Sequence, residues 1–326
     1  MKFIYLDTHD VYFNLAAEEY IFNQRKDTDP IFMIWQNQNA VVIGKHQNTI
    51  EEVNLDFVSR NHIQVARRMS GGGAVFHDLG NLNYSIIVYS EEMRWDIKRM
   101  ADPIVKALQR AGMHVEVNER NDLLINGNKI SGSSQYIKRN RLLHHGTLLF
   151  QSDLGLLSKA LKPEDDRIES RSIKSVRSPV TNICNHYSGL TIADFIASLM
   201  DVLAETSDVR AFALTDHDRK AIAKIRDEKY STWAWIYARS PEYTISKHRQ
   251  INGCEVHITM AIKDGVIQSL DMQNDIAHEI ELGSIEKSLI GVNMHAEDIA
   301  NTIDRFNLGQ SVSGLSAQDF VRALIN

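Results

Sequence analysis

Along the first half of the chain, apolar and polar positions alternate with period two more often than they repeat at helical spacing. Leu82, Tyr84, Ile86 and Val88 stand two apart with smaller or polar residues between them, which predicts a strand. Apolar runs at 3–6, 31–35, 40–43 and 63–67 predict further strands, with 31–35 and 40–43 joined by the polar turn Gln36-Asn37-Gln38-Asn39. Asn126-Gly127 signals a tight hairpin between 123–125 and a strand opened by Lys129, and a further hairpin returns through 147–150. Helices are expected at 15–24, capped by Asn14, and at 53–61. Two more follow, at 102–111, where Asp102-Pro103 reads as N-cap and N1 and Gly112 as the stop, and at 153–161 before Pro163. Hairpins dominate over repeated strand–helix–strand units. The pattern therefore predicts an α+β fold whose large domain holds a central mixed, largely antiparallel sheet flanked by helices.

The stretch 164–180, EDDRIESRSIKSVRSPV, is charged, serine-rich and aperiodic. A loop of that length inside a domain is expected to be functional or disordered. Helices at 191–204 and 216–229 follow, and Trp233, Trp235 and Tyr237 then lead to Ser240-Pro241, a domain edge. Beyond it, 255–262 and 266–270 flank the hairpin turn Lys263-Asp264-Gly265, and 317–325 reads as a helix. The expected division is a large domain over 1–243 and a small α+β domain over 244–326.

Composition narrows the class. The 326 residues suit one large and one small domain, and 43% apolar with 24% charged residues is ordinary for a soluble globular chain. A net charge of −6 without a basic block argues against a sequence-independent grip on nucleic acid. Cys184 and Cys254 are far apart and in no metal spacing, so neither a disulfide framework nor a zinc site is implied. The N-terminus lacks the apolar core of a signal peptide and no apolar run reaches membrane length, so a cytoplasmic protein without membrane attachment is expected.

Three clusters carry candidate chemistry. The first is Arg67-Arg68-Met69-Ser70-Gly71-Gly72-Gly73-Ala74-Val75-Phe76-His77-Asp78, whose glycines permit close approach of a ligand to backbone N–H groups while Arg68 adds a cationic fork. Neither the dinucleotide fingerprint nor a P-loop fits its spacing; a plain glycine-rich hairpin on a basic surface is the bland alternative. The second is Asp122 with Lys129, the lysine followed by the small residues Ser131, Gly132, Ser133 and Ser134 that leave room for a ligand. Lysines at hairpin exits are usually just solvated. The third is His144-His145-Gly146-Thr147, better suited to hydrogen bonding beside an acyl or phosphoryl group than to metal binding. A Cys184–His186 thiol–imidazole pair is a weaker reading. Together the clusters suit the meeting of a carboxylate with a nucleotide phosphate, two anions that a shared cation must neutralise. Adenylation of an acid followed by acyl transfer is the reaction they suggest.

The ordered set Arg-Arg-x-Ser-Gly-Gly-Gly-Ala-Val-Phe-His-Asp, Asn-Asp-Leu, Lys-Ile-Ser-Gly-Ser and His-His-Gly-Thr-Leu-Leu resembles the lipoate–protein ligase A family. Family-like stretches continue through Phe13-Asn14-Leu15-Ala16, Val41-Val42-Ile43-Gly44 and Ser175-Val176-Arg177-Ser178, so the likeness covers essentially the whole chain. The resemblance implies the biotin/lipoate ligase catalytic fold with a C-terminal lid or docking domain. It implies an enzyme that uses ATP and Mg2+ to convert lipoate, and octanoate, to the acyl-adenylate with release of pyrophosphate. The acyl group then passes to a lysine of apo lipoyl domains, in 2-oxoacid dehydrogenase E2 subunits or the glycine-cleavage H protein. By match, Lys129 is catalytic and touches both carboxylate and phosphate. Arg68, Gly73, Ala74, Val75, Phe76, Asp122 and Lys129 would form the ATP site, and Arg68, Ser70, Gly71, Gly72, His77, Asn83, Lys129 and His145 the lipoate site. Lys174 and Arg177, with Arg171, would serve a mobile adenylate-binding loop. No direct protein metal site is implied, Asp122 being the open candidate for a contact to magnesium. One departure is Gln135-Tyr136, where some members carry an arginine. The alternatives are a carrier-dependent octanoyl- or lipoyl-transferase, which needs a cysteine nucleophile, a biotin ligase, whose arginine–glycine loop is interleaved differently, and a non-catalytic lipoate binder.

Overall fold

The computed structural model describes residues 1–24, 29–90, 96, 99–161, 167–176, 178–251, 254–274, 282–306 and 317–325. Strand β1 (Lys2–Tyr5) leads to helix α1 (Val11–Gln24), then to β2 (Ile31–Trp35) and β3 (Ala40–Ile43). Two short helices, α2 (Thr49–Glu52) and α3 (Leu55–Arg60), precede β4 (Gln64–Arg67). The glycine loop separates β4 from β5 (Val75–His77), and β6 (Asn81–Tyr89) and α4 (Asp102–Arg110) follow. Next come β7 (Glu116–Val117), β8 (Leu123–Ile125), β9 (Asn128–Ser131), β10 (Ser133–Lys138) and β11 (Arg141–Leu149). After α5 (Leu154–Ala160) and β12 (Arg167–Ser170) stand α6 (Ile192–Thr206), β13 (Arg210–Ala211) and α7 (Asp216–Ile225).

Tertiary contacts divide the chain into two units. The first comprises Met1–Lys45, His62–Leu161 and Ser175–Ser231; the second comprises His46–Asn61, Lys162–Lys174 and Thr232–Asn326. This differs from a single cut after residue 243 because two excursions from the N-terminal part pack with the C-terminal part. The cause is concrete for one of them: β12 pairs antiparallel with the strand beginning at Tyr243, Ile168 opposite Ile245.

In the first unit the central sheet has the order β10-β11-β6-β2-β1-β13. Strands β13, β1 and β2 run parallel, whereas β2, β6, β11 and β10 are antiparallel neighbours, so the sheet is mixed as the pattern predicts. Every residue of β2 is buried. Phe32, Ile34, Leu82, Tyr84 and Leu148 form one core with Ile104 and Leu108 of α4 and Phe195, Leu199 and Leu203 of α6. At about 25 cal/mol per Å2 of apolar surface, such side chains are the main stabilising contribution. A second sheet, β4-β3-β5, carries the two ends of the glycine loop, and a third, β7-β8-β9, carries Lys129. Asn126 and Gly127 both have positive φ, 50° and 74°, as the tight turn requires.

Several local expectations change. Strands β2 and β3 lie in different sheets, so the Gln36-to-Asn39 turn carries the chain from one sheet to another. Helix α1 starts at Val11, and Asp10, whose carboxylate accepts the Tyr12 N–H at 2.9 Å, does the capping work expected of Asn14. Asn14 is inside the helix and buried. Asp102 is the first residue of α4 rather than its cap. The 53–61 helix is shorter, because Asn54 caps α3 by accepting from Phe57 N–H and interrupts the path from α2. Helix α7 ends at Ile225 and gives way to a wider turn over Arg226–Tyr230.

In the second unit, β12 joins β14 (Tyr243–Ile251), β15 (Cys254–Lys263) and β16 (Val266–Asn274) in an antiparallel sheet. Its apolar face, including Ile245, Ile258 and Met260, packs on α8 (Leu282–Leu289), α9 (Ala296–Ile303) and α10 (Ala317–Ile325). The buried Lys247 donates its ammonium to Leu324 O at 3.0 Å, satisfying a carbonyl at the end of α10. The expected loop at 164–180 is thus partly a strand. Residues 167–170 contain one apolar side chain, Ile168, and their register comes from β14, a partner too remote in sequence to be read locally. Among the described residues no helix is long and apolar enough to cross a membrane.

Candidate active site

Strand β4 delivers two arginines into the glycine loop, and both are buried. Arg67 donates from Nη1 to Gly44 O and Lys45 O. The Arg68 guanidinium is spent on the loop itself. Its Nε donates to Ser70 Oγ (3.1 Å) and Gly71 O (3.2 Å), Nη1 to Val42 O (3.1 Å), and Nη2 to Gly71 O (2.6 Å) and Gly73 O (2.8 Å). Burial lowers its pKa to about 10, opposed by Glu18, so it stays cationic at neutral pH. Gly72 sits at φ +89°, a region that glycine enters without a Cβ penalty, and a Cβ there would also meet Arg68 Nη2 at 2.9 Å.

Ser70 links this cation to a buried acid. Ser70 Oγ lies 2.6 Å from His145 Nε2, and His145 Nδ1 lies 2.8 Å from Glu18 Oε1, which also accepts from Ser85 Oγ at 2.7 Å. A carboxylate only accepts. His145 therefore carries a proton on Nδ1, which it donates to Glu18, and its Nε2 meets the Ser70 hydroxyl. The sheet brings the parts together because His145 on β11 stands opposite Ser85 on β6. His144, the adjacent residue, points to the other face, meets Gln135 Nε2 at 2.9 Å and stacks near Tyr84. Of the two histidines, the cluster takes His145. In the sequence Glu18 reads only as one residue of the 15–24 helix; the missed signal is an acid sharing a stripe with Leu15, Ile21 and Phe22, all buried.

His77 and Asn83 flank the same cluster. The His77 ring sits edge-on to Trp35 (centroids 6.0 Å apart), and its Nδ1 is 2.9 Å from Asn37 Nδ2. Burial first, and then the nearby Arg68 and His145, push its pKa down to about 3. Asn83 donates to Trp35 O (3.3 Å) and accepts from Asn81 Nδ2 (3.0 Å). Phe76 is buried on β5, and the N–H of Ala74 donates to Ser175 Oγ at 2.8 Å, with Ser175 lying against Gly73.

Lys129 differs from the buried side chains of Arg68, Ser70, His77, Asn83 and His145 in being 26% exposed. Its Nζ is 2.7 Å from Asp122 Oδ1, while Asp122 Oδ2 accepts from Asn118 Nδ2 at 3.2 Å. The backbone of Lys129 is pinned on both sides, its N–H donating to Pro179 O and its carbonyl accepting from Thr181 N–H. Its side chain crosses Gly132, where a Cβ would stand 2.9 Å from both Cε and Nζ. Two residues further, Ser134 Oγ donates to Gly71 O at 2.9 Å, so the strand that follows the lysine is tied to the glycine loop. Thus the structure brings together Arg68, Ser70, Gly71, Gly72, Gly73, His77, Asn83, His145 and the Lys129–Asp122 pair. Val75 opens β5 beside them. Lys174, described within the second unit, is exposed and stands 3.4 Å from Glu51. Arg177 lies outside the described residues. Cys184 contacts Asn185 and His186 contacts Thr181 Oγ1, so no thiol–imidazole pair forms between them; the Cys254 side chain is outside the described set.

The family model of the lipoyl protein ligase A/B catalytic domain matches residues 10–204, and that of the bacterial lipoate protein ligase C-terminus matches residues 240–324. The chain belongs to the lipoate–protein ligase family. It is 35% identical over 318 residues to the lipoate–protein ligase LplJ of Bacillus subtilis, covering 96% of each chain. It is similar to the crystal structure of a lipoate–protein ligase A bound with ATP, at 29% identity and TM-score 0.64, over 72% of this chain and 97% of that one. A bipartite lipoate protein ligase from Thermoplasma acidophilum, studied with its E2 lipoyl domain, matches at 29% identity and TM-score 0.63, over 72% and 95% of the two chains.

Two expectations follow for this ligase. An alanine at Gly132 meets only the flexible end of Lys129, so Gly132→Ala moves the ammonium off Asp122 instead of breaking the fold. Acyl-adenylate formation should fall about tenfold or more, ~1.4 kcal/mol in barrier, with the melting temperature nearly unchanged; a parallel loss of both would count against the positioning role. The second concerns pH. His77 and His144, held near about 3 and about 4 mainly by burial, are neutral in the fold and protonate near ~6.5 once unfolded. The unfolded chain then binds more protons, so this stability is present above pH ~6.5 and declines as pH falls toward their folded values. Each contributes a loss of roughly 1.4 kcal/mol per pH unit, which denaturant melts at pH 7 and 5 would read; equal stability at both would contradict it.

Proposed function

We infer that this ligase joins free lipoate, and octanoate, to ATP as the acyl-adenylate and then transfers the acyl group to a lysine of an apo lipoyl domain. In the first step a carboxylate oxygen attacks the α-phosphorus and the bond to pyrophosphate breaks. In the second, the neutral amine attacks the acyl carbonyl, the bond to AMP breaks, and the amine loses a proton.

The observation that carries this reading is the partly exposed Lys129 side chain, its ammonium anchored by Asp122 across Gly132 and its following strand tied through Ser134 to the glycine loop. A compact cation held there can neutralise the carboxylate and the α-phosphate together and stabilise the charge that builds between them. Arg68 acts differently from a direct phosphate clamp. All its nitrogens are occupied by oxygens of the loop and of β3, so its work is to shape the loop that Gly71, Gly72 and Gly73 present to the substrates. His145, fixed by Glu18, holds Ser70 in that shape. Gly73, Ala74, Val75 and Phe76 fit the nucleotide side, and Ser70, His77, Asn83 and His145 the acyl side.

Both Asp122 oxygens are engaged, and the described residues contain no group of three metal-ligating side chains. Magnesium would then come in on the ATP phosphates, with Asp122 the acid beside the lysine that would meet it, and no step above runs through the metal. Lys174 and Arg177 fit the adenylate loop by family match, and residues 244–326 fit a lid or docking domain. Lipoyl domains are the acceptors that the family membership supports; E2 subunits of 2-oxoacid dehydrogenases and the glycine-cleavage H protein are the proposed bearers.

The test is the intact mass of a purified apo lipoyl domain after incubation with this ligase, lipoate and Mg-ATP. A lipoyl-sized gain that requires ATP, unchanged in Cys184→Ala, is expected. A gain from a carrier-bound acyl donor without ATP would replace this reading with the transferase.

A further inference from the structure

Behind the acyl side of the site runs a chain of buried amides that ends on His77. Asn14, fully buried on α1, holds its Nδ2 3.0 Å from each of Thr8 O, Gln36 O and Asn37 Oδ1, three acceptors that share its two hydrogens. Two of those acceptors are backbone carbonyls, which cannot donate, so the nitrogen of the Asn14 amide must face them. Asn37, also fully buried, therefore presents its oxygen to Asn14 and its Nδ2–H to His77 Nδ1, 2.9 Å away. An imidazole nitrogen that accepts a hydrogen bond carries no proton. The His77 proton is thus confined to Nε2.

That Nε2–H has no protein partner among the described residues, although the His77 side chain is only 3% exposed. Buried donors are rarely left without an acceptor. The ring also stays neutral through the working pH range, since burial and the nearby Arg68 and His145 oppose a second proton. Trp35 stands edge-on to the ring, and Arg68 and His145, which Ser70 joins, lie near enough to act on it.

We propose that Asn37, itself oriented by Asn14, is a positioning residue that locks His77 as the Nε2–H tautomer and makes it a fixed, neutral hydrogen-bond donor to the acyl substrate. This rests on the acyl-ligase reading of the site. A neutral donor suits a place already holding one buried cation and one buried anion, because it adds recognition without disturbing their balance. The acceptor on the substrate is either an oxygen of the carboxyl group or a dithiolane sulfur, and both are hydrogen-bond acceptors that such an N–H can meet.

The experiment has two parts. Long-range 1H–15N spectra of 15N-histidine-labelled full-length protein, with His77 assigned by its loss in His77→Gln, read the tautomer directly. Wild type should show His77 protonated on Nε2 alone between pH 6 and 8, whereas Asn37→Leu, which keeps the bulk but loses the donor, should show a mixture or the Nδ1–H form. Initial rates of acyl-adenylate formation then give KM and kcat for lipoate and for octanoate. Asn37→Leu should raise KM about tenfold with kcat within about twofold, and His77→Gln, which keeps an N–H near the same place, should lie closer to wild type than His77→Phe. An equal rise for both acids assigns the acceptor to the carboxyl group; a rise for lipoate alone assigns it to the dithiolane. A wild-type Nδ1–H tautomer, or a shifted tautomer with unchanged KM for both acids, overturns the proposal. Absence of adenylate formation by wild type would instead remove the ligase reading while leaving the tautomer result standing.

Discussion

The buried guanidinium of Arg68 is the constraint on which the rest of the site depends. Taking such a charge out of water is costly unless nearly every donor finds an acceptor and an opposite charge lies near. Here the acceptors are the carbonyls of Val42, Gly71 and Gly73, and the acid is Glu18, reached through Ser70 and His145. Meeting that requirement dictates the shape of the loop. Its carbonyls must converge on one point, which only a chain able to enter the left-handed region at Gly72 can do. Each neighbour then inherits a fixed place: Ser70 by its hydroxyl, His145 by the proton it gives Glu18, Ser85 by its own bond to that carboxylate, and Trp35 by donating from Nε1 to Ser85 Oγ.

Charge is accordingly divided between two settings. The buried set links the Arg68 guanidinium to the Glu18 carboxylate through Ser70 and His145. Lys129 and Asp122 form a second pair, less buried and resting on a glycine, where a lysine can exchange its carboxylate partner for substrate anions. A point charge on a flexible stem suits that exchange better than a planar fork whose donors are all committed. Rigid loop and adjustable cation therefore come from different strands, joined by the bond from Ser134 to Gly71 O.

What the sequence made legible follows the range of the interactions involved. The glycine loop, the Lys129 hairpin and the small residues after it are local patterns, so backbone and candidate chemistry could be read together. The mixed sheet followed from strand periodicity and hairpin signals. Glu18, Asn14 and Asn37 were not legible as site residues, because each gains its meaning from partners in other elements: Glu18 from His145, 127 positions away, and Asn37 from His77, 40 away. Asn14 was misleading for the same reason, its side chain being a plausible cap until Thr8 and Gln36 are seen around it. Strand β12 hid in a charged stretch because its pairing partner lies in the C-terminal sheet. Arg68 was legible as a cation beside the glycine loop, yet its burial and internal use reflect packing that no local pattern records.

The claim on which the account turns is that the Lys129 ammonium joins the two substrate anions in the transition state of adenylation. Lipoate-dependent exchange of labelled pyrophosphate into ATP isolates that half-reaction from acyl transfer. Lys129→Met, which preserves length and apolar stem, should lose exchange by about a hundredfold or more, the scale expected when a transition-state charge partner is removed, while lipoate binding by calorimetry persists. Exchange near the wild-type rate in this variant would contradict the account.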